Sequence, residues 1–230
     1  MQDEISLNPS DEASPVEQEV QYGPRWAFSG KDGLRAGWSA LLFIIIILGL
    51  GRIVTLVVKA FTHGHRPDPN APVSPVKALI AEVVSMLLVL AASWIMARIE
   101  KRRLAVYGYA GRARLVRFLS GCGWGFVALS ALVAVLWKTH LLAFDAGYLH
   151  GFTAWKYAAA WLLVFIFTGL FEESLLRGYL QYTLTRGIGF WWGALLMSIL
   201  FGAIHGSNKG ESPVGLFAAG AVGLVFCISL

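Results

Sequence analysis

The sequence predicts an all-α, polytopic transmembrane helical bundle with at least six spans. Of its 230 residues, 57% are hydrophobic and only 14% are charged, whereas roughly a quarter of the residues in a soluble domain are charged. Mean hydropathy is +0.62. Uncharged apolar runs long enough to cross a bilayer recur along the chain. These observations exclude a disordered chain, a collagen and an ordinary soluble enzyme.

The N-terminal region, residues 1–35, is predicted to be a polar, acidic and disordered tail. Residues 1–24 contain no base and six acids: Asp3, Glu4, Asp11, Glu12, Glu17 and Glu19. Such a segment cannot bury enough apolar surface to fold. No basic stretch followed by a short apolar core stands at the N-terminus, so we expect no cleavable signal peptide.

Residues 36–230 are predicted to form one transmembrane domain. The expected spans are 36–58, 78–97, 118–137, a fourth starting near 157, 188–204 and a sixth starting at 213. A loop with four prolines separates the first two spans. The sixth apolar run reaches Leu230 without a polar or basic flank. We therefore expect the domain to be incomplete at its C-terminal end.

Positive charge concentrates between the second and third spans. The bases there are Arg98, Lys101, Arg102, Arg103, Arg112, Arg114 and Arg117. This pattern is typical of a cytoplasmic loop beside anionic headgroups, so the expected partner is the lipid bilayer and not a nucleic acid. The Lys and Arg distribution favours a cytoplasmic N-terminus in a multi-pass protein of a bacterial-type cell membrane.

The third span contains a series of small residues, from Gly121 through Gly123 and Gly125 to Ser130 and Ala134. Small residues let helix backbones approach closely in membranes. We therefore expect another helix to pack against this span.

Two ionisable residues near span ends, Arg52 and Glu82, are interpreted as snorkelling or packing residues rather than members of a site.

The chemically informative residues lie in the fourth and fifth spans. Glu173 and Arg177 are four apart, share a helix face and can neutralise one another. Glu172 points about 100° away from that pair, so its carboxylate is available for a catalytic role. Phe201, His205 and Asn208 follow about thirty residues later.

Glu172 and His205 are expected to face each other. Their midpoint falls within the predicted turn 187–189, so in an antiparallel hairpin each lies ~25 Å along its helix from that turn. A carboxylate in a low-dielectric site can take a proton from water, and an imidazole can orient that water or polarise a carbonyl. The same two groups are also a partial site for a divalent metal such as zinc, which two ligands do not complete.

These residues resemble a known family. Glu-Glu-x-x-x-Arg at 172–177, continuing into Gly178 and Tyr179, and Phe-x-x-x-His at 201–205 are similar to the first two motifs of the CAAX-protease and bacteriocin-processing family. This family comprises intramembrane endopeptidases related to the type II CAAX prenyl endopeptidase. The resemblance is specific across 165–208 and only topological across 36–160.

The resemblance implies a role for each matching residue. Glu172 matches the catalytic glutamate that activates water, and His205 matches the histidine of the second motif. Glu173 and Arg177 match structural companions of the glutamate. The family's third motif, His-x-x-x-Asn or His-x-x-x-Asp, is absent, because no histidine follows His205 in the sequence.

The predicted function is therefore a membrane endopeptidase that hydrolyses a peptide bond near the bilayer, in a membrane-anchored or lipidated protein or peptide. Two alternatives stay open. One is a non-catalytic scaffold or immunity protein of the same fold. The other is a proton-coupled transporter that uses the buried acid and histidine as a relay, although the internal repeat typical of transporters is not evident.

Overall fold

The computed structural model describes residues 28–30, 33–62, 73–111, 113–144, 147, 149–208 and 210–229. Most of the predicted tail 1–35 and most of the proline-containing loop lie outside these residues. The described part is almost entirely helical, so the predicted all-α class is confirmed.

In the described part of the chain, six helices follow a short antiparallel pairing of β1 (Ser29–Gly30) with β2 (Gly33–Leu34). They are α1 (Ala36–Phe61), α2 (Pro75–Ile99), α3 (Arg114–Lys138), α4 (Gly151–Ile188), α5 (Phe190–His205) and α6 (Pro213–Ile228). A single 3₁₀ turn, Leu104–Tyr107, lies between α2 and α3.

Local sequence explains several helix boundaries. α2 and α6 begin with proline, whose fixed φ suits the first helical position. At the start of α6 the Ser212 hydroxyl accepts a hydrogen bond from the Gly215 amide at 3.1 Å, which caps that helix. α4 and α5 are joined at Gly189, whose φ of +86° favours glycine. The turn predicted at 187–189 is thus reduced to Gly189, because α4 continues through Ile188.

Four helices, α1 to α4, are long and apolar enough to cross a membrane. α5 and α6 are apolar but have only 16 residues each, and a crossing takes about 20. The expectation of at least six spans is therefore not confirmed, whereas the membrane-type helical bundle is.

α4 starts earlier than expected and is long, with 38 residues, or about 57 Å of helix. Residues Glu173–Leu180 within it are π-helical, and Gly178 departs from helical geometry with a ψ of −106°. A π segment changes which side chains share a face and often marks a functional region. Here it contains the predicted Glu173–Arg177 pair.

The core lies between α1, α2, α4, α5 and α6. Phe43, Val89, Met96 and Tyr179 are fully buried, and the Phe43 and Tyr179 rings stack at 4.6 Å. α5 packs closely on α6, because a Cβ at Gly202 would lie 2.7 Å from the Leu216 carbonyl oxygen. Glycine at this position thus sets the helix separation.

α3 differs from the other helices, since its apolar window has no buried residue. Nothing in the described chain lies within 4 Å of a Cβ built on Gly121, Gly123 or Gly125. The close helix contact expected at this series of small residues is therefore absent from the described structure.

Candidate active site

Arg177 is the buried centre of the predicted motif. Its guanidinium forms the expected ion pair with Glu173, one turn earlier on α4. The two side chains differ in environment: Arg177 is 2% exposed and Glu173 is 44% exposed. The cation, not the carboxylate, is the group removed from solvent.

Arg177 also connects α4 to α5 and α6. One guanidinium nitrogen donates a hydrogen bond to the Gly223 carbonyl oxygen at 3.4 Å. The guanidinium carbon lies 5.0 Å from the ring centre of Phe201 and 4.8 Å from that of Phe226, within the range of cation–π attraction. The residues expected to support the site, Arg177 and Phe201, are therefore in contact.

The loop between α2 and α3 is attached to the π segment. The Glu100 carboxylate accepts hydrogen bonds from Tyr179 at 2.5 Å and from Tyr107 at 3.3 Å. A Cβ on Gly178 would lie 3.2 Å from the Tyr109 hydroxyl, so the loop approaches the helix where glycine leaves room. Nothing in the sequence identified Glu100 as the acceptor of these two hydroxyl groups.

Glu172 lies in the last α-helical position before the π segment and is half-buried. The charges of three residues act on its carboxylate, in decreasing order of strength His205, Arg177 and Glu82. α4 and α5 thus place the carboxylate and the imidazole near enough for an electrostatic interaction; that the two act together in one site stays a prediction.

His205 is the last residue of α5 and is also half-buried. Its Nδ1 lies 2.8 Å from the Phe201 carbonyl oxygen. A carbonyl can only accept, so Nδ1 carries the proton, and in the neutral ring Nε2 keeps the free lone pair. The Phe201 ring lies 4.6 Å from the imidazole centre and restricts its orientation.

Glu82 is a residue that sequence reasoning placed outside the site. It lies in the second turn of α2, a helix that packs extensively against α4, and its charge acts on Glu172. Nothing in the sequence near Glu82 indicates this, because the approach depends on how two distant helices pack.

Asn208 lies in the turn after α5 with an exposed side chain. The bonds recorded for it in the described chain are made by its backbone, to His205 and Glu211. The structure therefore places Asn208 next to His205 in the chain but does not direct it to Glu172.

Within the described chain, the site does not contain the ligand set of a typical metal centre. Among the described residues, no three His, Cys, Asp or Glu side chains are grouped closely enough to hold a metal ion. Catalytic zinc usually takes three protein ligands. Glu172 and His205 thus supply two donors, and this arrangement does not make a complete protein ligand set.

The comparison with protein families agrees with the motifs. Residues 154–230 match the family model described as type II CAAX prenyl endopeptidase Rce1-like. The matched region includes most of α4 and all of α5 and α6, and hence Glu172, Arg177 and His205. No curated protein and no solved structure matches the chain. The resemblance inferred from the motifs is thus confirmed for this part of the protein: residues 154–230, which are less than half of the chain, match the Rce1-like model of type II CAAX prenyl endopeptidases.

Proposed function

We propose that this protein is an intramembrane endopeptidase in which Glu172 is the general base and His205 is its partner. The observation that carries the proposal is the electrostatic interaction between Glu172 and His205 on neighbouring helices, within a region that matches an endopeptidase family. Glu173 is paired with Arg177, which leaves Glu172 as the adjacent carboxylate without that ion pair.

The proposed reaction is hydrolysis of an amide. Glu172 takes one proton from water as the water oxygen attacks the scissile carbonyl carbon. The carbon–nitrogen bond then breaks, and the same proton passes to the leaving amine. The remaining hydroxyl group becomes part of the new carboxylic acid.

His205 is proposed to position the water or to polarise the carbonyl. Its Nδ1 proton is hydrogen-bonded to the Phe201 carbonyl oxygen, so Nε2 is the ring nitrogen left to bind water or substrate. The neutral imidazole accepts a hydrogen bond from water at Nε2, and the imidazolium can donate one to the carbonyl oxygen.

The proposed substrate is a membrane-anchored or lipidated protein or peptide. His205 ends α5, and the turn 206–208 that follows is exposed. A site at a helix end can be reached by a peptide bond near the bilayer surface, while the apolar helices around it keep the substrate's anchor in lipid.

The test is cleavage of a membrane-tethered reporter by the purified full chain. Glu172→Gln keeps the shape of the side chain but cannot accept a proton, so we expect activity to fall by about 10²–10⁴-fold. His205→Ala should be comparably damaging. The double variant should be little worse than either single variant, because residues that act as a unit are non-additive.

The matched control is Glu211→Gln, which removes an exposed carboxylate in the turn beyond His205. It should keep full activity. Full activity in Glu172→Gln would end the proposed mechanism, and loss of activity with a metal chelator would reassign His205 as a metal ligand. The non-catalytic scaffold would be favoured by two results together. The folded wild-type chain would cleave no reporter, and Glu172→Gln would still abolish the cellular phenotype.

A further inference from the structure

A polar cavity lies at the end of the bundle opposite to Glu172 and His205. Its volume is about 720 Å³, and the start of α1, the end of α2 and the end of α4 surround it. These three helix ends are thereby brought together at one level. α5 runs back from this level to His205, so the cavity and the candidate active site are separate.

The cavity has an excess of positive charge. Among its described lining residues are four cations, Arg35, Lys101, Arg102 and Arg186, and one carboxylate, Glu100. Glu100 already accepts hydrogen bonds from two buried tyrosines. The described lining residues thus include more basic than acidic side chains.

Two of the guanidinium groups converge on one atom. Arg102 donates to the Tyr182 hydroxyl oxygen at 2.8 Å, and Arg186 donates to the same oxygen at 3.3 Å. The two donor nitrogens are thus within about 6 Å of each other. Like charges at this distance repel, and an anion bound beside both guanidinium groups would offset the repulsion.

Arg102 forms an ion pair with Glu100, with Nε 3.5 Å from the carboxylate, and this buried Nε makes no hydrogen bond among the described residues. The N-terminus of a helix contributes further donors. α1 points its N-terminus at the cavity through Ala36 and Gly37, with no acidic residue in its first turn and no side-chain cap. The positive end of a helix dipole adds to the attraction for an anion.

From these groups we infer that the cavity binds a phosphate group. Planar guanidinium groups and an uncapped helix N-terminus are both suited to phosphate oxygens. The phosphate could belong to a lipid headgroup or to a soluble compound. The exposed Trp38, Trp191 and Trp192 near the helix ends that form the cavity are typical of the membrane interface, which favours the headgroup of an anionic lipid.

The experiment measures the thermal unfolding midpoint of the full chain in a neutral detergent. Phosphatidylglycerol, phosphatidylcholine and inorganic phosphate are titrated in separate arms. We expect phosphatidylglycerol to raise the midpoint, because a ligand that binds the folded state stabilises it. Phosphatidylcholine, which has no net charge, should bind more weakly.

The test variant is Lys101→Gln with Arg186→Gln, two exposed side chains of the cavity wall. Each cation near a membrane surface contributes about a fivefold change in affinity for anionic lipid, so the double variant should bind phosphatidylglycerol about 30-fold more weakly. The matched control is Arg98→Gln, which removes a cation at the same end of α2 that stacks on Trp94 outside the cavity. It should bind as the wild type does.

The outcomes separate the sources of phosphate. A shift with phosphatidylglycerol alone supports a lipid headgroup, and an equal shift with inorganic phosphate supports a soluble phosphate compound in the same cavity. If neither raises the midpoint, or if Arg98→Gln weakens binding as much as the double variant, the inference is overturned. Should the double variant fail to fold, Lys101→Gln alone must still weaken binding about fivefold.

Discussion

Replacement of Arg177 by alanine is the most informative test of the packing around the site. The change removes the ion pair with Glu173, the hydrogen bond to the Gly223 carbonyl and the contacts with the rings of Phe201 and Phe226. It therefore removes side-chain contacts that join α4 to both α5 and α6.

The magnitude follows from how much of each contact is buried. Breaking a fully buried ion pair costs about 3–5 kcal/mol, but Glu173 is 44% exposed, so the carboxylate left behind stays partly solvated and this contribution falls toward about 1 kcal/mol. The two ring contacts add about 0.5–2 kcal/mol each. We expect Arg177→Ala to lower the free energy of unfolding by about 3 kcal/mol.

The assay is equilibrium unfolding in mixed micelles for the wild type, Arg177→Ala, Glu173→Gln and the double variant. The double variant should recover only about 1 kcal/mol of the loss, because most of the loss comes from contacts with α5 and α6. Arg177→Lys should not restore stability, since an ammonium group cannot stack between two rings and reach two acceptors at once.

Two results would refute this reasoning. A loss below about 1 kcal/mol in Arg177→Ala would mean that the buried guanidinium does not hold the helices together. Complete recovery in the double variant would mean that the pair with Glu173 accounts for the whole effect and that the ring contacts contribute nothing.

Three further predictions concern topology, the π segment and alkaline pH. Cysteines introduced at Ser74 and Ser207 should be labelled from the side of the membrane opposite to one at Ala113; labelling of all three from one side would contradict the arrangement. Gly178→Ala should destabilise the fold by about 1–3 kcal/mol, measured by unfolding, because its Cβ would press on a tyrosine hydroxyl at 3.2 Å; an unchanged stability would show that the loop gives way. Burial raises the pKa of Tyr107 above its ordinary value, so the folded state keeps this proton to higher pH than the unfolded state does. The free energy of unfolding should therefore fall as pH rises past about 10. Tyr107→Phe should make this fall with pH less steep.

Local rules accounted for the helices. Apolar composition, proline at the first position of α2 and α6, and glycine at the turn before α5 act within a few residues. They could therefore be read along the chain, as could the Glu173–Arg177 pair, because its two members lie one turn apart.

Helix length was less predictable than helix position. α5 and α6 were expected to cross the membrane, yet each has 16 residues. Hydropathy alone does not report where a helix stops, and the ends depend on caps and turns that are decided over one or two residues. The packing of α3 was also mispredicted, because small residues permit a close contact without supplying the partner helix.

The sequence by itself determined the helical membrane class and the motif residues, and it predicted that Glu172 and His205 lie at matching depth, since periodicity, composition and spacing are local properties. Only the tertiary structure decided that Glu82 acts on Glu172, that Glu100 joins two tyrosines and that three helix ends enclose a basic cavity. Apart from the bond between Glu100 and the nearby Tyr107, these contacts join residues 79 or more positions apart, or helix ends that are distant from one another in the chain. Their geometry depends on how side chains fill the space between helices, which no local pattern specifies.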